Sequence, residues 1–207
     1  MDNWTGRFSV RLDLQNDAEA RAKRRTFDER ERDENDMTMR LAPWAQAQIE
    51  EFLRAHLRDQ EISLPELRVH TGLFARWATR LMRAGGFTIG RHIFVAPKLV
   101  RRDERGRLVV PGWLIVHEAV HVLQFRRVGA CRLALSYVGT YWRELWRSRS
   151  LGREARVRAY FAVPEEGAAY AATEAFLNWR AQQREGARQL KATEALAVPD
   201  RRERAEE

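Results

Sequence analysis

The chain has 207 residues, 44% of them hydrophobic and 32% charged, which suits one domain with attached tails and enough apolar material for a real core. The net charge of +8 points toward an acidic partner, but the basic residues are interleaved with Asp and Glu and no nucleic-acid motif occurs, so solubility is the preferred reading and nucleic acid is not an expected partner. Residues 1–10 lack the apolar core of a Sec signal, and no run approaches the roughly 18 apolar residues of a membrane span, so a soluble cytoplasmic protein without an integral membrane segment is expected, with non-classical export left open.

The stretch 13–40 is crowded with acids and arginines, and 184–207 repeats that pattern, whereas the middle carries nearly all the glycines and most of the aromatics. This divides the chain into a charged N-terminal extension (1–40), a folded domain (41–183) and a charged C-terminal tail (184–207). Residues 8–14 alternate as a short strand does and lead into a charged run that reads as a solvated helix or disorder. From Pro43, the residues Trp44, Ile49, Phe52, Leu53 and Leu57 recur at helical spacing with a proline in the first turn, an amphipathic helix that packs on the domain. Residues 67–70 are extended. Thr71 is placed to cap the next helix, where Leu73, Phe74, Trp77, Leu81 and Met82 fall on one face and Gly85 and Gly86 end the element.

Residues 91–97 are rich in strand formers and closed by Pro97, and this strand is a candidate to pair with an extended peptide at a sheet edge. A polar loop follows over 101–107. Pro111 and Gly112 precede a strong helix over 113–127, stopped by Gly129. The lone cysteine, Cys131, excludes an internal disulfide and reads as a buried structural thiol. A second helical stretch covers 132–147, broken or bent at Gly139. Within it Tyr137, Tyr141, Trp142, Leu145 and Trp146, flanked by Arg143, Arg147 and Arg149, resemble a membrane-surface helix, although packing is the preferred role for most of them, with the Trp and Arg mixture left as a partner surface. A break over 148–152 and a short segment to Pro164 lead to a last helix that starts near Glu165 and carries Ala168, Ala169, Ala172, Phe176, Leu177 and Trp179.

The chemistry lies in 113–124, Trp-Leu-Ile-Val-His-Glu-Ala-Val-His-Val-Leu-Gln. His117 and His121 are four apart, so on a helix they project from one face and can share a zinc ion. Glu118 is placed beside that metal, where it can take a proton from an activated water. Nearly every neighbour on the helix is apolar, so two histidines and an acid there are expensive unless something satisfies them. A catalytic zinc site needs a third protein ligand, and His121 is the last histidine in the chain. A downstream carboxylate remains. Glu144 and Glu154 sit among arginines and read as solvated, whereas Glu165 and Glu166 open an Ala-rich helix able to lie flat against the zinc helix. Glu166 is the choice and Glu165 its rival.

In order and spacing, Val69-His70-Thr71-Gly72, the run 84–90 (Ala-Gly-Gly-Phe-Thr-Ile-Gly), Ile93-Phe94-Val95-Ala96 and the His-Glu-x-x-His helix ending at Gln124 resemble one known domain. It is the extracellular contractile injection system core domain, a zinc-peptidase-like domain in which VHTG, AFTxG, a strand, a variable loop and LxHELxHVxQ follow one another. The resemblance covers about 67–125. Beyond it, 163–171 resembles the IPFExEAYA segment that supplies the third ligand in small gluzincin-like proteins. There Glu166 matches the ligand glutamate, and Ala169, Tyr170 and Ala171 match the tail. The sequence departs at Glu165, where the family has an aromatic or aliphatic residue, and at Ala168, where it has a second glutamate.

An oxyanion donor is also needed. Tyr170, one turn after Glu166, is the candidate, with Tyr160 as its rival. His70, at a strand-to-helix junction, reads as a residue satisfying a local bond. The expected fold class is therefore α+β, a mostly helical zincin-like domain with a small sheet beside the His-Glu-x-x-His helix. The expected function is zinc-dependent hydrolysis of peptide bonds in a peptide or protein substrate. The alternative is a zinc-binding or docking module without turnover, associated with an injection-system or toxin partner.

Overall fold

A computed structural model describes residues 9–13, 38–82 and 84–197, so the charged run after residue 13 and the last ten residues of the tail lie outside the described residues. The architecture is α+β and mostly helical, with six helices and one small sheet among the described residues.

The strands are β1 (Ser9–Asp13), β2 (Thr38–Leu41), β3 (Arg68–His70), β4 (Gly86–Ile89), β5 (His92–Val95), β6 (Arg101–Arg102) and β7 (Leu108–Pro111). They form one sheet in the order β4-β5-β3-β2-β1-β7-β6. Every pair is antiparallel except β3 with β5, where Val69 stands opposite Ile93. A parallel pair needs a crossover, and helix α2 (Leu73–Met82) supplies it. Two expectations change here. The strand at 92–95 is not at an edge, because β4 covers it in an antiparallel ladder from Gly86↔Val95 to Ile89↔His92; among the described residues β4 is the edge strand on that side. Moreover β1, from the stretch assigned to the N-terminal extension, lies between β2 and β7 in the middle of the sheet.

Helix α1 (Pro43–Leu57) starts on a proline and buries Ala45, Ile49, Phe52 and Leu53, while Trp44 and Leu57 are exposed. It rests on the long C-terminal helix α6 (Pro164–Ala197), where Phe52 meets Phe176 edge to face at 5.1 Å and Trp179 at 5.7 Å. Such aromatic pairs contribute about 0.5–1.5 kcal/mol beyond their buried area. Helix α6 continues unbroken across residues 183 and 184, where the tail was expected to begin. The apolar stripe of α2 points outward: Leu73, Phe74, Trp77 and Leu81 are exposed, and Ala75, Ala78 and Thr79 form the buried side.

Helix α3 (Gly112–Val128) leaves β7 directly, with Pro111 at its N-cap and Gly129 at φ 80° ending it. It is apolar nearly all round, the signature of a helix that runs through a core. Leu114, Ile115, Val116, Val120, Val122 and Leu123 are all buried between the sheet, β4 and α6. Ala169 and Ala172 of α6 are fully buried in the same cluster, and their small side chains let the two helices lie close.

Helices α4 (Ala130–Ser148) and α5 (Arg153–Phe161) form a hairpin with its own small core of Leu145, Ala155 and Ala159, against which Tyr141 packs. The break expected at Gly139 is absent and α4 runs straight through it. A mid-helix glycine loses only about 1 kcal/mol relative to alanine, which a helix of 19 residues tolerates. Cys131, expected to be buried, is exposed near the start of α4. No helix among the described residues is long and apolar enough to cross a membrane.

Candidate metal centre

The i, i+4 spacing on α3 does what helical geometry requires. His117 and His121 stand on one face with ring centroids 5.0 Å apart and planes nearly perpendicular. The first turn of α6 crosses in front of them. Glu166 is buried, with Oε2 3.4 Å from His117 Nε2 and Oε1 3.6 Å from His121 Nε2. One ligand atom from each of the three residues lies within 4.8 Å of the others. Nitrogen and oxygen ligands bound to zinc at about 2.0–2.1 Å in a tetrahedron stand about 3.3 Å apart, so these side chains fit the ion with little movement.

The hydrogen bonds around the three residues prepare them for such a role. The Gln124 Nε2 donates to the Glu165 carbonyl at 3.1 Å, which leaves its Oε1 as acceptor toward His121 Nδ1 at 2.8 Å. His121 Nδ1 therefore carries a proton, and Nε2 faces Glu166 and the gap between the ligands. Glu165 enters only through its main chain, while the neighbouring carboxylate of Glu166 takes the central place. The Tyr160 hydroxyl, on α5, donates to Glu166 Oε2 at 2.5 Å. Burial raises the Glu166 carboxyl, but the hydrogen bond from His117, the His121 charge and the Tyr160 hydrogen bond outweigh it and hold the group below its ordinary value. Burial, and then the Glu166 charge and hydrogen bond, push the phenols of Tyr160 and Tyr137 well above the usual tyrosine value, so both stay neutral donors.

Glu118 is only 2% exposed. Its Oε2 accepts from the Thr88 hydroxyl at 2.8 Å, and the same hydroxyl reaches the Glu118 carbonyl at 3.3 Å. Burial pushes this carboxyl up, against the His121 and His117 charges and the Thr88 hydrogen bond. Gly86 of β4 makes room for it: a Cβ there would stand 2.9 Å from Glu118 Oε1 and 3.2 Å from the Phe94 carbonyl. Edge strand β4 is thus fitted to the carboxylate from two positions.

Tyr170 lies at the mouth of the site, 42% exposed, with its ring edge to face on His117 at 4.8 Å. Its ring lies edge to face on that of Tyr160 at 6.4 Å, and burial raises its phenol. Tyr160 is turned toward Glu166. His70 stands apart, bonded to His92 Nδ1 at 2.8 Å and to the Thr38 hydroxyl at 3.1 Å, with its ring stacked on Phe94.

Sequence reasoning overlooked Gly86, Thr88, Gln124 and Tyr137 as members of this site. For Thr88 and Gln124 a signal existed, since both fall inside the AFTxG and LxHELxHVxQ segments of the resemblance. For Tyr137 there was none, because nothing local shows that α4 brings it to Glu166.

No curated protein and no solved structure matches the chain. A family model, that of the eCIS core domain, matches residues 45–129. The match takes in Gly86, Thr88, His117, Glu118, His121 and Gln124, and stops short of Tyr160, Glu166 and Tyr170. The chain carries an eCIS core domain over residues 45–129.

Proposed function

We propose that the chain is a zinc-dependent metallopeptidase in which His117, His121 and Glu166 hold the ion and Glu118 is the general base. The observation that carries this reading is the convergence of two imidazole Nε2 atoms and one buried carboxylate from a separate helix, with Glu118 buried on the same helix as the histidines. Zinc held there supplies a Lewis acid that polarises a scissile carbonyl and brings a water toward a pKa of about 7.

The chain's own residues do the rest. Glu118 takes the proton from the attacking water and passes it to the amine that leaves, so the water oxygen ends on the acyl carbon and its proton on nitrogen. A carboxyl raised by burial is a stronger base for that transfer than an exposed one. The Thr88 hydroxyl fixes one carboxylate oxygen and leaves Oε1 for the water. Tyr170, at the mouth, is the donor placed for the developing oxyanion, and Tyr160 holds the Glu166 ligand. The exposed edge of β4, beside Glu118, can take an extended peptide as an added strand.

The test is peptide turnover by the zinc-loaded chain against a quenched-fluorescence peptide library, with Glu118→Gln in parallel. The reading requires a loss of about 10²- to 10⁴-fold in the variant. Equal turnover by both would sink it. A second reading, a metal-holding docking module without turnover, draws on the injection-system match. It requires zinc binding and no turnover by either protein.

A further inference from the structure

We propose that the α4–α5 hairpin docks the protein on an anionic membrane surface, with α4 lying in the headgroup region. Leu135, Val138, Trp142 and Trp146 are all exposed, Trp142 by 52% and Trp146 by 80%. At about 100° per residue their spacing confines them to about 80° of the helix circumference. Leu133, on the opposite side of α4, is buried, and Leu145, about 20° from Val138, packs into the hairpin core with Ala155 and Ala159. Among the described residues nothing covers the stripe, so it is an outer face and not a piece of the domain core.

Charge identifies the occupant. Residues 130–163 hold seven arginines and two glutamates, a net +5 out of the +8 of the whole chain. One of those glutamates, Glu144, is already paired with Arg147 at 3.2 Å. Along α4 Arg132, Arg143 and Arg147 lie on one side of the apolar stripe, and an open depression of about 590 Å³ is lined by Trp142, Arg143, Trp146, Arg147 and Arg149. Indoles beside guanidiniums suit the boundary where lipid phosphates meet acyl chains: the rings enter the apolar layer and the cations meet the phosphates. A bilayer asks for no shape complementarity, so a single helical stripe suffices.

The full-length chain is tested by flotation with vesicles of phosphatidylcholine alone and of phosphatidylcholine with 30% phosphatidylglycerol. The glycerol-headgroup share is about one charge in three lipids, chosen to give a strong negative surface. Binding is expected to the anionic vesicles only and to weaken as salt rises. Arg143→Ala and Arg147→Ala should each weaken it about fivefold at low salt. Trp142→Ser with Trp146→Ser should weaken it by about tenfold or more, and brominated lipid should quench wild-type tryptophan fluorescence more than that of the double variant. None of these side chains belongs to the hairpin core, and unchanged melting temperature and zinc binding would show that the variants fold. Failure to bind anionic vesicles overturns the proposal, as does binding that the variants leave unaltered. Capture of poly-glutamate without vesicle binding also overturns it, and would make an acidic protein segment the occupant.

Discussion

The hydroxyl of Tyr160 donates to Glu166 Oε2 at 2.5 Å, and that same oxygen lies 3.4 Å from His117 Nε2. The carboxylate that completes the candidate centre is thus aimed by a side chain from α5, outside its own helix. Residues that orient a metal ligand commonly change metal affinity 10- to 100-fold when removed. Tyr160→Phe, which keeps the ring and its packing, should weaken zinc binding by about that factor with little change in melting temperature. Competition with a chromophoric chelator measures it, and an unchanged affinity would leave Tyr160 as packing alone.

A side chain at Gly86 crowds Glu118, since its Cβ would fall 2.9 Å from Oε1 with the Phe94 carbonyl 3.2 Å away. The related AFTxG segment carries alanine at this position, so the test is Gly86→Val, whose larger side chain should displace the carboxylate while leaving His117, His121 and Glu166 in place. The expected result is a full zinc content with a loss of peptide turnover approaching that of Glu118→Gln, about 10²-fold or more. Loss of zinc together with turnover would mean that the sheet edge itself had moved.

Burial raises the Glu118 carboxyl above its ordinary value, so in the metal-free protein the folded state keeps this proton to higher pH than the unfolded chain does. Between the unfolded and folded values the folded state binds more protons, and stability falls as pH rises through that window. Metal-free Glu118→Gln, which cannot ionise, should therefore melt higher than metal-free wild type at pH 8. The gap should close as the pH is lowered toward 4.5, the ordinary value of the group. Thermal denaturation across that range checks the sign, and a variant that melts lower at pH 8 would contradict it.

What could be read from the sequence was carried by short-range periodicity. The apolar run around His117 and His121 fixes a core helix, and the four-residue spacing fixes their common face, with no knowledge of the rest of the fold. Glu166 was separable from the arginine-bound Glu144 because an Ala-rich first turn can approach another helix, and Ala169 and Ala172 do so. The remaining features depend on partners distant in the chain. The pairing of β4 outside β5 and the insertion of β1 between β2 and β7 are matters of sheet register that no local pattern encodes. Thr88 meets Glu118 only because that register brings β4 to α3. The exposure of Cys131, Trp142 and Trp146 depends on how α4 packs against α5, which no local pattern encodes.

The central claim is the three-residue zinc site, and metal stoichiometry tests it most directly. Protein purified without chelators would be measured by mass spectrometry as wild type, Glu165→Ala and Glu166→Ala. The account predicts about one zinc per chain for wild type and Glu165→Ala, with the metal lost or greatly weakened in Glu166→Ala. A wild type that cannot be loaded with zinc, or a Glu166→Ala variant that holds it as tightly as wild type, would contradict the account.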